Sequence, residues 1–324
     1  MRSEFDFIKK IRKQSAIRWS QSAIIFGVGD DAAVFRKDSK TDFVITTDLL
    51  VENIDFRLEW TRPEYLGHKA LAVSLSDIAA MGARPCFALL SIGVPKNIWK
   101  TKFLDSFYKG WFALAEKYNV QLIGGDVSKT PDKIVVDSIV IGETKRGKAV
   151  LRSTANAGDL IFVTGALGGA AAGLAEIRSP TVKEGVNDRA TIKERLLIQR
   201  QLRPNAQVEI GALLGERNLA TSMIDISDGL SSDLNHLCEE SNVGAIIDAD
   251  KIPVDSSIDS DGLNLALNGG EDFELLFTVN PKKNSKLKNL PVTQIGLITD
   301  KPKKIFIKQN SRLIKLNPKG FIHF

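Results

Sequence analysis

Short β-branched runs alternate with helix-length amphipathic segments through the first half of this chain, and that alternation restricts it to a mixed α/β architecture. Phe43-Val44-Ile45-Thr46-Thr47 reads as a strand ending at Asp48. Pro63 stands where a helix can start, and Leu66, Ala70, Val73, Asp77 and Ala80 recur three or four apart until Gly82, where it can stop. Asp77 therefore shares a stripe with apolar residues. Cys86 to Val94 reads as a buried strand, and residues 98–118 as an amphipathic helix carrying Phe103, Phe107, Trp111 and Leu114. Val120 to Ile123 then leads into Gly124-Gly125-Asp126, and Ile134 to Ile141 is a further strand. A short amphipathic helix is expected at 5–13.

Between Glu143 and Asp159 the residues turn small, polar and charged, which sets the expected boundary between domains at 1–145 and 146–324. The second half opens with a strand at Leu160–Thr164 and a Gly/Ala-rich helix, followed by a loop, RSPTVKEGVNDR, and two helical segments near 190–216. A strand at Ser222–Ile226, a helix at Leu230–Glu240, and strands at Val243–Asp248, 273–279 and 292–298 complete a second α/β domain.

Composition narrows the function. With 43% apolar and 26% charged side chains, the 324 residues are those of a soluble globular protein, which excludes disorder and a disulfide-stapled miniprotein. Cys86 and Cys238 stand far apart, so no zinc knuckle or CxxC pair can form locally; they read as buried free thiols. His68, His236 and His323 share no metal-ligand spacing. The N-terminus has no apolar leader, and the most apolar stretch, Leu160 to Ala175, is broken by four glycines, so a cytoplasmic chain without a membrane span is expected. The net charge of +5 invites a nucleic-acid reading. Position removes it: residues 281–324 hold 11 Lys and Arg against one acid, and residues 1–280 hold 33 basic against 38 acidic groups. The body is acidic, and no nucleic-acid partner is expected.

In six places acidic residues stand beside glycine, at strand ends or, for Ser76-Asp77, on the helix that starts at Pro63: Gly29-Asp30-Asp31, Thr46-Thr47-Asp48, Ser76-Asp77, Gly125-Asp126, Asp225-Ile226-Ser227-Asp228-Gly229 and Gly270-Glu271-Asp272. Any one of these suits a turn or an N-cap, but six together suggest a ligand-binding rim. Each like-charged pair at 4 Å costs roughly 1 kcal/mol in water and about 4 at an effective dielectric of 20, so a converging cluster needs cations. Carboxylates and Thr hydroxyls without His or Cys suit Mg²⁺, which in turn suits a polyphosphate. Phosphoryl transfer asks for positioning and charge neutralisation. No GxxxxGK[ST], GxGxxG, HRD or DFG set is present. The run Gly165-Ala166-Leu167-Gly168-Gly169 could offer amides to a phosphate, although the Ala170, Ala171, Ala172 and Gly173 that follow favour close helix packing.

Seven strings, GVGDDAAV (27–34), TTDLLVENIDF (46–56), LGHKALAVSLSDIAAMGARP (66–85), LIGGDVS (122–128), IDISDGLSSDL (224–234), GGEDFELLFTV (269–279) and the terminal KGFIHF, resemble the thiamine-monophosphate kinase family. That family belongs with aminoimidazole ribonucleotide synthetase and its relatives. The resemblance implies two α/β domains, the first pairing in a homodimer, and transfer of the ATP γ-phosphate to thiamine monophosphate with several Mg²⁺ ions. It implies that Asp30, Asp31, Thr46, Thr47, Asp48, Asp77, Asp126, Asp225 and Asp228 hold metal. Gly125, Asp126, Arg152 and Ser227 would touch ATP, and Asp55, Glu271 and Phe321 would face thiamine. By its own context Phe321 reads as a core plug, and His68 and Lys69 as helix surface or interface, with Lys69 also a possible phosphate ligand. The family commonly has Gly and His where this chain has Asn53 and Asp55, Asn where Ser74 stands, and Thr-Thr in place of Val127-Ser128. No catalytic base is expected, because a phosphomonoester, whose second pKa is about 6, is already largely ionised at neutral pH. The alternatives are a related synthetase acting on another substrate and a non-catalytic Mg-nucleotide sensor. Selenophosphate synthetase and the hydrogenase-maturation dehydratase are disfavoured by the lack of Cys near either end.

Overall fold

A computed structural model describes residues 8, 10–14, 23–179 and 191–320. Residues 8 and 10–14 are helical (α1), within and just beyond the expected 5–13; the rest of that segment and most of the RSPTVKEGVNDR loop lie outside the described residues.

The first sheet contains β1 (Ile24–Phe26), β2 (Ala33–Arg36), β3 (Thr41–Val51), β4 (Arg84–Val94), β5 (Gln121–Lys129) and β6 (Val135–Lys145), in the order β1-β2-β3-β6-β4-β5. Only β4 and β5 run parallel. Helices α2 (Pro63–Ala80), α3 (Lys96–Trp99) and α4 (Phe103–Tyr118) belong to this half. Residues alternate across a strand. Val44, Thr46 and Leu50 of β3 are therefore buried toward α2, whereas Thr47 and Leu49 point outward.

The second sheet contains β7 (Leu160–Thr164), β8 (Ala220–Ile226), β9 (Gly244–Asp248), β10 (Glu274–Val279), β11 (Val292–Thr299), β12 (Ile305–Gln309) and β13 (Arg312–Lys315). Its order is β13-β12-β9-β11-β7-β10-β8, with β12 parallel to β9. Around it lie α5 (Gly169–Arg178), α6 (Ile192–Leu202), α7 (Val208–Glu216), α8 (Leu230–Glu240) and α9 (Gly262–Asn268).

Helix α2 starts with Pro at its first turn and ends before Gly82, which adopts φ +66°. It lies between the sheets, against β3 and β6 on one side and β8 and β10 on the other, and is buried on nearly all sides. The larger core accordingly joins Leu71, Leu75 and Ile78 of α2 to Met223 and Phe277 of the second sheet. A smaller core, including Ile224, Leu234 and Leu276, fills that sheet's other face. The α2–α4 crossing is close enough that a Cβ on Gly67 would sit 1.9 Å from the Phe107 carbonyl oxygen.

The long elements fall where expected, with three corrections: β3 runs past Asp48 to Val51, β5 continues through Gly124-Gly125-Asp126 to Lys129, and the helix expected at 98–118 is divided into α3 and α4. The short ones, β1, β2, α9, β12 and β13, were not anticipated. Cys238 is buried, but Cys86 is half-buried, since it stands on the less covered face of β4. Most basic residues of 281–320 are exposed. Among the described residues no helix is long and apolar enough to cross a membrane.

Candidate active site

Three elements bring carboxylates to one end of α2. Asp77 projects from α2, Asp31 from the turn before β2, and Asp225 from the end of β8; one oxygen of each lies within 4.8 Å of the others. Each is held by a donor from elsewhere. Thr46 Oγ1 makes a short hydrogen bond to Asp77 Oδ2. Ser76 Oγ donates to Asp225 Oδ2 at 2.7 Å, and Ser74 Oγ to Asp48 Oδ2 at 2.7 Å. Asp30 accepts the backbone N–H groups of Asp31 and Arg152, both at 3.0 Å. The Arg152 guanidinium lies 2.5 Å from Asp31 Oδ1 and 3.4 Å from Asp30 Oδ1.

Burial and mutual repulsion raise the proton affinity of the group. Burial, then Asp31, pushes Asp30 up to about 7 and Asp225 up to about 8. Burial lifts Asp48 to about 6 against the Ser74 hydrogen bond. Asp77 is raised well above the carboxylate range by burial, then by Asp48 and Asp225. Arg152 moves upward on balance: burial opposes its charge, but Asp31 and Asp30 outweigh it. One guanidinium cannot neutralise five carboxylates, and Asp31 Oδ2 is buried without a hydrogen-bond partner. An all-oxygen donor set with an orphaned buried oxygen fits a hard divalent cation.

Other expected metal residues stand apart from this cluster. Thr47, on the outward face of β3, donates to Asp137 Oδ1 at 2.7 Å. Asp126 is exposed on the edge strand β5, in register with Ser91, which is itself in register with Asp137. The row of Asp126 and Asp137 is thus one residue out of step with that of Asp48 and Ser138. Gly125 adopts φ +153°, and a Cβ there would stand 1.9 Å from the Leu90 carbonyl oxygen. Asp228 lines the cavity described next, and the backbone N–H groups of Asp228 and Gly229 donate to the buried Asp233 at 3.2 and 3.0 Å.

A cavity of about 370 Å³ adjoins the cluster, lined by Asp48, Asp55, Lys69, Ser227, Asp228 and Glu271 among others. Asp55 Oδ2 accepts the Val51 N–H at 2.7 Å and so ties the turn after β3. Glu271 adopts φ +66°, and its N–H donates to the Ser227 carbonyl at 2.8 Å. Its Oε1 lies 2.6 Å from Lys69 Nζ, and its Oε2 accepts a short hydrogen bond from Gln201. Of the two positions expected for Lys69, helix surface or interface, the surface one is excluded: the residue is buried where α2 is packed against its neighbours. His68 is half-buried, 2.8 Å from the Pro204 carbonyl oxygen.

Part of the amide set at the Gly165–Gly169 run is already taken: the Leu167 N–H donates to the Pro253 carbonyl at 2.8 Å. Asp272 accepts the Gly168 N–H at 2.6 Å and the Ala170 N–H at 3.1 Å, capping α5. The packing role is the one realised, since a Cβ on Gly173 would meet the Leu197 carbonyl of α6 at 2.0 Å. Phe321 lies outside the described residues. Asp137 and Gln201 carry no signal in the sequence, as neither stands in an Asp-Gly pattern or opens a helix; Ser76 stands in the Ser76-Asp77 pair, but nothing local points to its bond with Asp225.

Residues 29–144 match the family of AIR synthase related protein, N-terminal domain, and residues 156–308 that of AIR synthase related protein, C-terminal domain. The thiamine-monophosphate kinase of Bacillus subtilis (strain 168) is 38% identical over 331 residues, spanning 99% of each chain. That of Buchnera aphidicola subsp. Acyrthosiphon pisum (strain APS) is 40% identical over 335 residues, again spanning 99% of each. Among solved structures, AaThiL complexed with AMPPCP and TMP superposes with a TM-score of 0.85 at 32% identity, covering 99% of this chain and 97% of the other.

Proposed function

This chain belongs to the thiamine-monophosphate kinase family, and on that premise we propose that it transfers the γ-phosphate of ATP to thiamine monophosphate, giving thiamine diphosphate and ADP. The observation that carries the reading is the all-oxygen carboxylate cluster opening onto a cavity lined by both Lys69 and Glu271. The solved relative bound to AMPPCP and TMP supports the same pair of substrates.

Asp30, Asp31, Thr46, Asp48, Asp77 and Asp225 would hold Mg²⁺, with Thr47, Asp126 and Asp228 as further ligands. When bound, the ions supply charge neutralisation for the phosphates. The protein's own part is placement. Ser74, Ser76 and Thr46 fix carboxylate rotamers by donating to them, and Arg152 holds Asp30 and Asp31 together. Gly125, Asp126, Arg152 and Ser227 would contact the nucleotide, while Asp55, Glu271 and Phe321 would contact thiamine. An ionised oxygen of the acceptor phosphate attacks the γ-phosphorus, and the bond to the ADP oxygen breaks, so no protein base is needed.

We assign 1–145 and 146–324 as the two domains and place the enzyme in the cytoplasm, which suits its two free cysteines. A homodimer through the outer face of the first sheet is part of the same reading. Ile45, Leu89 and Ile139 on that face are only half-buried and Leu49 is exposed, which suits burial against a second copy. Incubating the pure protein with ATP, Mg²⁺ and thiamine monophosphate should yield thiamine diphosphate. No product would reject the reading, and tight ATP binding with unchanged nucleotide would indicate a sensor instead.

A further inference from the structure

Lys69 is 2% exposed, yet it lines the cavity. A buried ammonium is costly unless paired. Among the described residues its ion-pair partner is Glu271 at 2.6 Å. Glu271 is less enclosed, with 31% of its side chain exposed, and it is held there by two constraints: backbone at φ +66° and the Gln201 hydrogen bond to its second oxygen. The pair thus stands on the cavity wall, with Glu271 set in place from its own side.

Helix geometry relates this pair to the carboxylate cluster. Lys69, Val73 and Asp77 recur four apart on α2 and so share one face. Lys69 and Val73 line the cavity, Asp77 joins the cluster, and Asp48 belongs to both. At 1.5 Å rise per residue, Lys69 and Asp77 are about 12 Å apart along the helix axis. A ligand in the cavity therefore lies between a cation–anion pair at one end and the acidic cluster at the other. Thiamine monophosphate carries the same two signs of charge, a fixed thiazolium cation and an anionic phosphate.

Resting on the reaction proposed above, we propose that the substrate splits the Lys69–Glu271 ion pair: Lys69 takes the acceptor phosphate, and Glu271 is released to the thiazolium. In the absence of substrate each residue satisfies the other. On binding, both contacts are replaced by contacts of equal sign, so neither charge is left buried alone. Unphosphorylated thiamine can replace only one of the two. Splitting the pair would strand Lys69, and the site discriminates against the alcohol for that reason.

The test is calorimetric titration of thiamine monophosphate, thiamine and inorganic phosphate into protein saturated with Mg²⁺ and AMPPCP, so that the nucleotide end is filled throughout. Lys69→Met should weaken thiamine monophosphate binding about 10-fold to 100-fold, as expected for loss of charge-assisted hydrogen bonds. The same variant should bind thiamine as well as wild type or better, because Glu271 is no longer engaged. Glu271→Gln should act in the opposite sense, weakening thiamine while inorganic phosphate binds more tightly to the unpaired Lys69. Equal loss of both thiamine ligands in Lys69→Met, or no loss of the phosphate ester, would overturn the proposal. If Lys69→Met does not fold, Glu271→Gln decides: unchanged or weaker phosphate binding rejects the exchange. Turnover by the wild-type protein is scored separately, so these outcomes can fail while the reaction stands.

Discussion

At the residue scale, five aspartates are held closer than their charges favour, each fixed by a hydroxyl, an amide or Arg152. An acid kept in such a place for ligand binding has a signature that a structural acid lacks. Asp48→Asn keeps the acceptor for Ser74 but removes a charge that repels Asp77. Turnover should fall at least about 100-fold, as for loss of a group that supports transition-state charge. The melting temperature of the protein without divalent cation should not fall at pH 8, because a like-charge repulsion has gone. Asp126→Asn should also nearly abolish turnover with folding intact. A wild-type rate in either variant would show that the metal assignment of that residue is wrong.

At the scale of elements, α2 governs the site, since it supplies Lys69, Ser74, Ser76 and Asp77 from one rigid rod. Its position depends on glycine at the α4 crossing, where Gly67 approaches the Phe107 carbonyl and a Cβ on Gly110 would stand 1.8 Å from the Glu64 carbonyl oxygen. Gly67→Ala must push the helices apart, and overpacking of this kind costs about 1–3 kcal/mol. A lower urea midpoint together with reduced turnover is expected; an unchanged midpoint would mean that the crossing is not rigid. The same helix shows what the sequence could reveal. Its start, end and apolar spacing were legible because Pro63, Gly82 and the periodic Leu and Ala residues are local signals. Its surroundings were not. A helix packed on nearly all sides has no polar face for periodicity to expose, so the sequence leaves Lys69 open between surface and interface, and Ser76 gives no sign that it meets Asp225 from another sheet. Strands β12 and β13 escape the sequence for a different reason: they are only five and four residues long, and β13, at the sheet edge, is exposed throughout.

At the scale of the molecule, the net charge of +5 conceals an acidic body and a basic segment that is mostly solvent-exposed, and folding concentrates part of the acidity where water is scarce. That has a consequence for stability. The carboxyls of Asp48, Asp30 and Asp225 are raised to about 6, 7 and 8 in the folded protein, while in the unfolded chain they titrate near 3.9. Between pH 4 and 8 the folded state therefore holds more protons than the unfolded one, and stability without divalent cation falls as pH rises across that window. The contribution is fully present below pH 4 and is lost as pH passes the folded-state values, with Asp77, raised well above the carboxylate range, extending the decline in the same direction. A divalent cation binds the ionised carboxylates and competes with those protons, so its stabilising effect runs in the opposite direction with pH. At about 100 times its dissociation constant a ligand adds about 2.7 kcal/mol. Thermal melts with Mg²⁺ and with chelator should thus diverge more at pH 8 than at pH 5.5, and Asp225→Asn should flatten the decline in the chelated protein. Equal Mg²⁺-induced shifts at the two pH values would show that the ion does not bind at this cluster.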